Sequence, residues 1–328
     1  MINSEANNEV INYDVHGISR IQSNLAGIVP SVFQVNQIKG NIDLIFKILY
    51  DGKSEVGGAH RSSHKLFLKD LSANTKVYYF VNRMLRGIYC MLHDFPAPWL
   101  QYVITNILIP LKLLQKGYSF VHAACLDSCD EGSLIIAPPN TGKTHTALFL
   151  NRTGFNYLSD DMTIIKGNKA YCYPTDLTVT PFHIKEFDIS YVWKEHLKMI
   201  TRRVVNQIPY LNACEGIRVD PKRVVHNLRM ETVVRNVCFL DNGPDCVREL
   251  EYEVAFKKMI AASYEIQFQS PVIYSYLYKN ADEELDLEKL SDLRNKIYRD
   301  VLRGSRLFSV TSRKHAYPQL IMDAIYET

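Results

Sequence analysis

A membrane-length apolar run is missing from this 328-residue sequence. The longest candidate, Tyr102 to Leu114, is interrupted by Thr105, Asn106, Pro110 and Lys112 and falls short of the ~20 residues a helix needs to cross a bilayer. The first ten residues, Met1 to Val10, have neither the basic segment nor the apolar stretch of a secretory signal; they read as a polar leader. A charge excess is missing too: 38 Lys and Arg stand against 35 Asp and Glu, a formal +3, which argues against a dedicated nucleic-acid or membrane surface and makes any anion site local. The seven cysteines contain no C-x-x-C pair, and the Cys125–Cys129 spacing has no second pair beside it. Reduced thiols, no metal–sulfur site and a soluble, cytoplasmic protein are the expectation. No repeat or low-complexity segment is present, and 47% hydrophobic with 22% charged residues is ordinary globular composition.

The elements are legible from punctuation and period. Ser31 to Asn36, Ile42 to Tyr50 and Lys76 to Asn82 are rich in Ile, Val, Phe and Tyr between turn-forming residues, so residues 1–95 are expected to form a β-rich accessory region. Pro98 to Gly117 reads as a helix bent or broken near Pro110. Tyr118 to Asp127 reads as one strand and Ser133 to Ala137 as a short buried one. A helix from Gly142 to Gly154 is followed by a strand at Phe155 to Ser159 and a hairpin from Met162 to Tyr173 turning at Gly167-Asn168. Val233 to Leu240 is a further core strand, and Asp282 to Leu302 a surface helix. A mixed-sheet α/β core over residues 96–328 is expected.

Between the buried strand and the helix lies Ala137-Pro-Pro-Asn-Thr-Gly-Lys-Thr144, which fits a phosphate-loop pattern with alanine in place of the first glycine. The relaxed pattern arises by chance in roughly 2–3% of chains this long, so its placement between strand and helix is what gives it weight. Pro139, Asn140, Thr141 and Gly142 of the loop, with Lys143, Thr144 and His145 at the helix start, are the candidate nucleotide-binding set. Their backbone N–H groups, proline excepted, would surround a polyphosphate. Lys143 would reach the terminal phosphates, Thr144 would offer its hydroxyl to Mg²⁺, and Gly142 would let the backbone approach. Asp160 and Asp161 leave the next strand; paired carboxylates there suit Mg²⁺ and the removal of a proton from an attacking hydroxyl.

His122, in Val121-His-Ala-Ala-Cys-Leu-Asp127, completes a sequence of motifs. Together with the Gly-Lys-Thr loop and Gly154-Phe-Asn-Tyr-Leu-Ser-Asp-Asp161, it resembles the HPr kinase/phosphorylase superfamily, and more specifically the HPr-kinase-like kinases of peptide natural-product clusters such as lasso-peptide precursor kinases. The resemblance covers about residues 119–180. It implies a mixed-sheet P-loop kinase core related to phosphoenolpyruvate carboxykinase and an activity moving the γ-phosphoryl of ATP, with Mg²⁺, to a serine hydroxyl. It assigns Lys143 and Thr144 to triphosphate and metal, Asp160 to hydroxyl activation, Asp161 to metal ligation and His122 to orienting or tuning the doublet; the paired carboxylates themselves make Asp160 a metal candidate beside Thr144 and Asp161. Two departures stand out: His145 replaces the glutamate that follows the loop in authentic HPr kinases, and the Leu-Glu-Ile-Arg-Gly-Leu-Gly signature of the phosphorylase activity is missing.

Lys194 to Arg235 carries nine Lys and Arg against four acids, a local charge of about +5. Arg218, in a glycine-flanked segment expected to be a loop, is the candidate for a phosphate contact in the transition state, with Arg202 and Arg203 close behind. The expected function is an ATP-dependent kinase acting on a serine of a ribosomal peptide precursor. A small-molecule kinase for an amino acid, sugar or alcohol, and a nucleotide-binding regulatory or assembly protein, are the alternatives. Partners are therefore a peptide or small-molecule acceptor, with self-association left open and neither nucleic acid nor membrane expected.

Overall fold

The β-branched and aromatic segments before residue 82 pair into a single sheet in the computed structural model, which describes residues 10–50, 65–81, 101–190, 193–208, 216–263, 266, 269–280, 285–313 and 316–325. Its strands are β1 (Ile11–Val15), β2 (Ser19–Ser23), β3 (Gln34–Val35), β4 (Leu44–Tyr50), β5 (Lys65–Lys69) and β6 (Thr75–Val81). Their spatial order is β3-β1-β2-β4-β6-β5, with β4 parallel to both neighbours and the outer pairs antiparallel. Val15, Ile21, Leu44, Phe46, Ile48 and Val77 are buried at period-two positions. Ser31 to Asn36 is mostly not strand: after Pro30 a 3₁₀ turn spans Ser31–Phe33, buries Phe33, and leaves two residues to pair with β1.

These strands belong to the first of two units into which the chain divides, Met1–Lys116 with Ile200–Cys214 and Gln267–Leu287. The unit also holds α1 (Ile109–Gln115), preceded by a π-helical segment, Val103–Leu108. Pro110 does not break the helix. The turn before it widens, so that the Ile109 N–H bonds to the Ile104 carbonyl five residues back. Residues 98–100 of the expected helix lie outside the described residues, and among the described residues no helix is long and apolar enough to cross a membrane.

The second unit, Gly117–Met199 with Glu215–Ile266 and Glu288–Thr328, is built on a mixed sheet of β7 (Ser119–Val121), β8 (Ala124–Ser128), β9 (Glu131–Ile136), β10 (Asn156–Ser159), β11 (Thr163–Lys166), β12 (Lys169–Tyr171), β15 (Glu231–Asn242), β16 (Cys246–Glu249) and β17 (Arg306–Ser312); β13 (Leu177–Val179) and β14 (Ile217–Val219) form a separate ribbon. β15 is the organising strand. It runs parallel to β9 on one edge, and on the other pairs with β12 near its start and β17 near its end. The helices are α2 (Lys143–Arg152), α3 (Pro181–Glu186), α4 (Trp193–Val205, which runs on into the first unit), α5 (Tyr252–Ala262), α6 (Leu287–Arg303) and α7 (Tyr317–Ile325).

One core gathers Ala147, Leu148 and Leu150 of α2 and Tyr317, Ile321 and Ile325 of α7 with the alternate sheet residues Ala124, Leu126, Ile135, Cys238, Leu240 and Val310. Elsewhere α6 is tied to β7 by the Tyr298 hydroxyl donating to the Phe120 carbonyl at 2.7 Å, and to α5 by Arg299 over the Phe256 ring. The sheet is thus fixed around the point where β9 ends and α2 begins.

Candidate active site

Two local irregularities meet at that point. Residues 118–127, expected as one strand, are two, because the ribbon changes partner: β7 pairs with β11 and β8 with β10. Ser159 faces Cys125 and Thr163 faces Val121. After a one-residue shift between Tyr157 and Ser159, the Ser159 end of the β8–β10 pairing shares the register of β7–β11, so the break at Asp160–Met162 lies opposite the break at His122–Ala123. The kink is braced by polar side chains: Thr163 Oγ1 donates to the Ala123 carbonyl at 2.9 Å and is hydrogen-bonded to Ser159 Oγ, while the His122 N–H donates to Ser263 Oγ at 3.2 Å. Facing kinks turn His122 and the aspartates out of the sheet at one place.

The loop 137–142 arrives beside them. Ala137 is buried, Asn140 (φ +62°) and Gly142 (φ +110°) take left-handed conformations, and glycine is the residue that adopts the latter without strain. Pro139 and Asn140 are exposed at the tip of the loop. Thr141 follows them at the base of the loop. It is buried, and its N–H is directed back to the Pro138 carbonyl at 3.4 Å, which closes the turn of the loop. Gly142 is the N-cap of α2 and supplies no capping side chain, so the first N–H groups of the helix have no side-chain cap. The Thr146 N–H and hydroxyl both bond to the Gly142 carbonyl at 2.9 Å, which anchors the turn into the helix.

Four contacts join loop, helix and doublet. Lys143 Nζ lies 3.2 Å from Asp161 Oδ1, and His122 Nε2 lies 3.7 Å from the same oxygen. The Thr144 hydroxyl donates to Asp160 Oδ2 at 2.7 Å. Asp160 Oδ1 is buried and has no hydrogen-bond partner among the described residues. Burial, then the repulsion of Asp161, pushes the Asp160 carboxyl up to about 6, against the pull of Lys143, Thr144 and His122. Desolvation by the surrounding protein works in the same direction on the Asp161 carboxyl, but the Lys143 ammonium and His122 outweigh it and hold this group below the usual carboxylate range. Two adjacent aspartates are thereby split into one fixed anion, its side chain 52% exposed, and one buried carboxylate that keeps its proton to higher pH.

His122, Lys143, Thr144, Asp160 and Asp161 are therefore within reach of one another. The remaining candidates are placed differently. His145, in the first turn of α2, packs among Phe149, Phe182 and Phe187. Arg218 is on a strand, β14, opposite Thr178, and not in a loop as its flanking glycine suggested; its Nε is buried and without a hydrogen-bond partner among the described residues. Arg202 is buried in the part of α4 that belongs to the first unit, and Arg203 beside it is exposed. Other members of the basic stretch are spent on structural pairs: Arg223 with Glu195 at 2.9 Å, and Arg229 with Asp127 and Asp130.

Ser159, Thr163 and Ser263, which hold the kinks, were missed by the sequence reading, although hydroxyl residues flanking Asp160-Asp161 were a visible signal. Among the described residues no group of three or more His, Cys, Asp or Glu forms a metal site by itself. Thr144, Asp160 and Asp161 nonetheless offer the oxygen donors that a hard dication takes together with phosphate oxygens and water, and the unpartnered Asp160 Oδ1 is a demand for a cation or proton at this spot.

No protein-family model matches the chain, and no curated protein matches it. Among solved structures, the HPr(Ser) kinase/phosphatase from Coxiella burnetii is similar at 14% identity over 64% of this chain and 95% of its own, with a TM-score of 0.30, a level of likeness that transfers no residue role.

Proposed function

We propose that this protein is an ATP-dependent phosphotransferase that moves the γ-phosphoryl group to a hydroxyl. The observation that carries the proposal is the meeting of Lys143 and Thr144, at the start of a helix with open N–H groups, with a doublet whose two carboxyls are driven apart in basicity. A polyphosphate is matched by the helix start, the exposed loop tip and a buried ammonium. Lys143 neutralises charge on the terminal phosphates, and Asp161 with His122 holds that ammonium in position. Thr144 donates its hydroxyl hydrogen bond to Asp160, so the lone pairs of its oxygen remain free; it and Asp161 would hold Mg²⁺, which when bound neutralises phosphate charge. Asp160 is mostly ionised near neutral pH yet more basic than an ordinary aspartate, the property wanted in a group that accepts the proton of an acceptor hydroxyl. The acceptor class we propose is a serine of a ribosomal peptide precursor, which rests on the resemblance over residues 119–180.

The test is transfer from labelled ATP with Mg²⁺ to candidate peptides and small alcohols, read by mass analysis, alongside calorimetric ATP binding. Asp160→Asn should keep ATP binding within a few-fold and lose about 10²–10⁴ in transfer. Lys143→Ala should weaken ATP binding at least tenfold. Unchanged turnover in Asp160→Asn would remove that residue from the mechanism, and no nucleotide binding by the wild type would end the proposal.

A further inference from the structure

We infer that Phe182 and His145 form the platform on which the base of the bound nucleotide stacks, an inference that rests on the phosphate-loop reading above. The doublet marks the terminal-phosphate end of the site, because Lys143 and Thr144 both reach it. Successive side chains on an α-helix are rotated by about 100°, so His145 points about 200° away from Lys143 and about 100° away from Thr144. A triphosphate laid over the start of α2 with its terminal phosphorus at the doublet therefore has its nucleoside end on the His145 side.

Aromatic rings are waiting there. The His145 ring lies 5.6 Å from Phe182 and 5.4 Å from Phe187, centroid to centroid, at interplanar angles of 38° and 49°. Phe187 is buried, with the Arg152 guanidinium 5.5 Å over its ring and the His183 ring stacked against it at 18°. Phe182 is the exception among these rings: it is 55% exposed, whereas Phe187 is buried and His145 and His183 are half-buried. Its position is nevertheless set by a firm support, since α3 begins at Pro181 with a reciprocal cap in which Thr180 and His183 bond to each other's backbone and side chain. A ring held in place with a face left to solvent has apolar area still to bury, and a flat heteroaromatic base fits that need. The imidazoles of His145 and His183 add polar edges around it, matching the polar rim of a base. Stacking of this kind accepts any base, because every base has a π-face, so ATP and GTP should be held alike.

Calorimetry with Mg²⁺ and either ATP, GTP or inorganic tripolyphosphate separates the two halves of the site. The wild type should bind both nucleotides more tightly than tripolyphosphate. Phe182→Ala should lose about tenfold in affinity for ATP and GTP while binding tripolyphosphate as the wild type does, which also reports that the variant is folded; Phe182→Trp should retain nucleotide affinity. ATP affinity unchanged in Phe182→Ala, or a wild type that does not distinguish ATP from tripolyphosphate, would overturn the platform alone. A wild type that binds neither ligand would overturn the phosphate-loop reading beneath it.

Discussion

Asp160 is strained in the form that the proposed chemistry needs. Its folded carboxyl titrates at about 6, against an ordinary value of 3.8, so folding favours the proton and the ionised group opposes folding. The sign follows: this contribution costs nothing below about pH 4, grows as pH rises through the folded value, and is fully present above it. At 1.36 kcal/mol per pKa unit it amounts to at most about 3 kcal/mol. Asn resembles the protonated group and can still accept the Thr144 hydrogen bond, so Asp160→Asn should be more stable than the wild type in urea at pH 8 without Mg²⁺, and the advantage should shrink as pH falls to 5. A variant that is no more stable at pH 8 would show that Asp160 is not under this strain. Loss of transfer with gain of stability is the signature of a residue kept for chemistry.

At the level of elements, α1 is held by a residue that the sequence shows only as an interruption. Lys112 is buried, and its Nζ donates to the Leu71 carbonyl at 2.7 Å, the Ala73 carbonyl at 2.8 Å and Gln115 Oε1 at 3.1 Å. Lys112→Ala would strip these acceptors of a charged donor and should cost about 2–4 kcal/mol, measured as a lowered urea midpoint; an unchanged midpoint would show that the loop 71–74 is not fastened this way. The apolar run, the glycine-bounded helix and the hairpin at Gly167 were readable because each is decided by neighbours a few residues apart. What escaped depends mostly on distant partners. The split of residues 118–127 reflects pairing with β11 and then β10, some 30 to 45 residues on. Arg223 and Arg229 were counted as available charge, but their partners lie 28 and about 100 residues away. The site was legible as a set of residues; its geometry was not, because two facing kinks come from tertiary pairing.

Across the second unit, the cysteines give a way to ask whether nucleotide binding is coupled to the stability of the sheet. Cys125, Cys172 and Cys238 are buried in it, and burial pushes each thiol up, Cys238 to about 12. Inaccessible and almost free of thiolate, they can be alkylated only when the structure opens. Cys129 and Cys246 are exposed and should react directly. A ligand that binds only the closed state lowers the open fraction by 1 + [L]/Kd, about a hundredfold at 100 Kd, or ~2.7 kcal/mol. Pulse alkylation with iodoacetamide, read by peptide mass, should therefore show Mg²⁺-ATP slowing Cys125, Cys172 and Cys238 by up to that factor while Cys129 and Cys246 keep their rates. In Lys143→Ala, whose affinity is at least tenfold weaker, the protection at the same ATP concentration should fall to about tenfold or less. Buried-cysteine rates that ignore ATP in the wild type would mean that the nucleotide is not held by the closed form of this sheet, and the loop at the end of β9 would lose its proposed role.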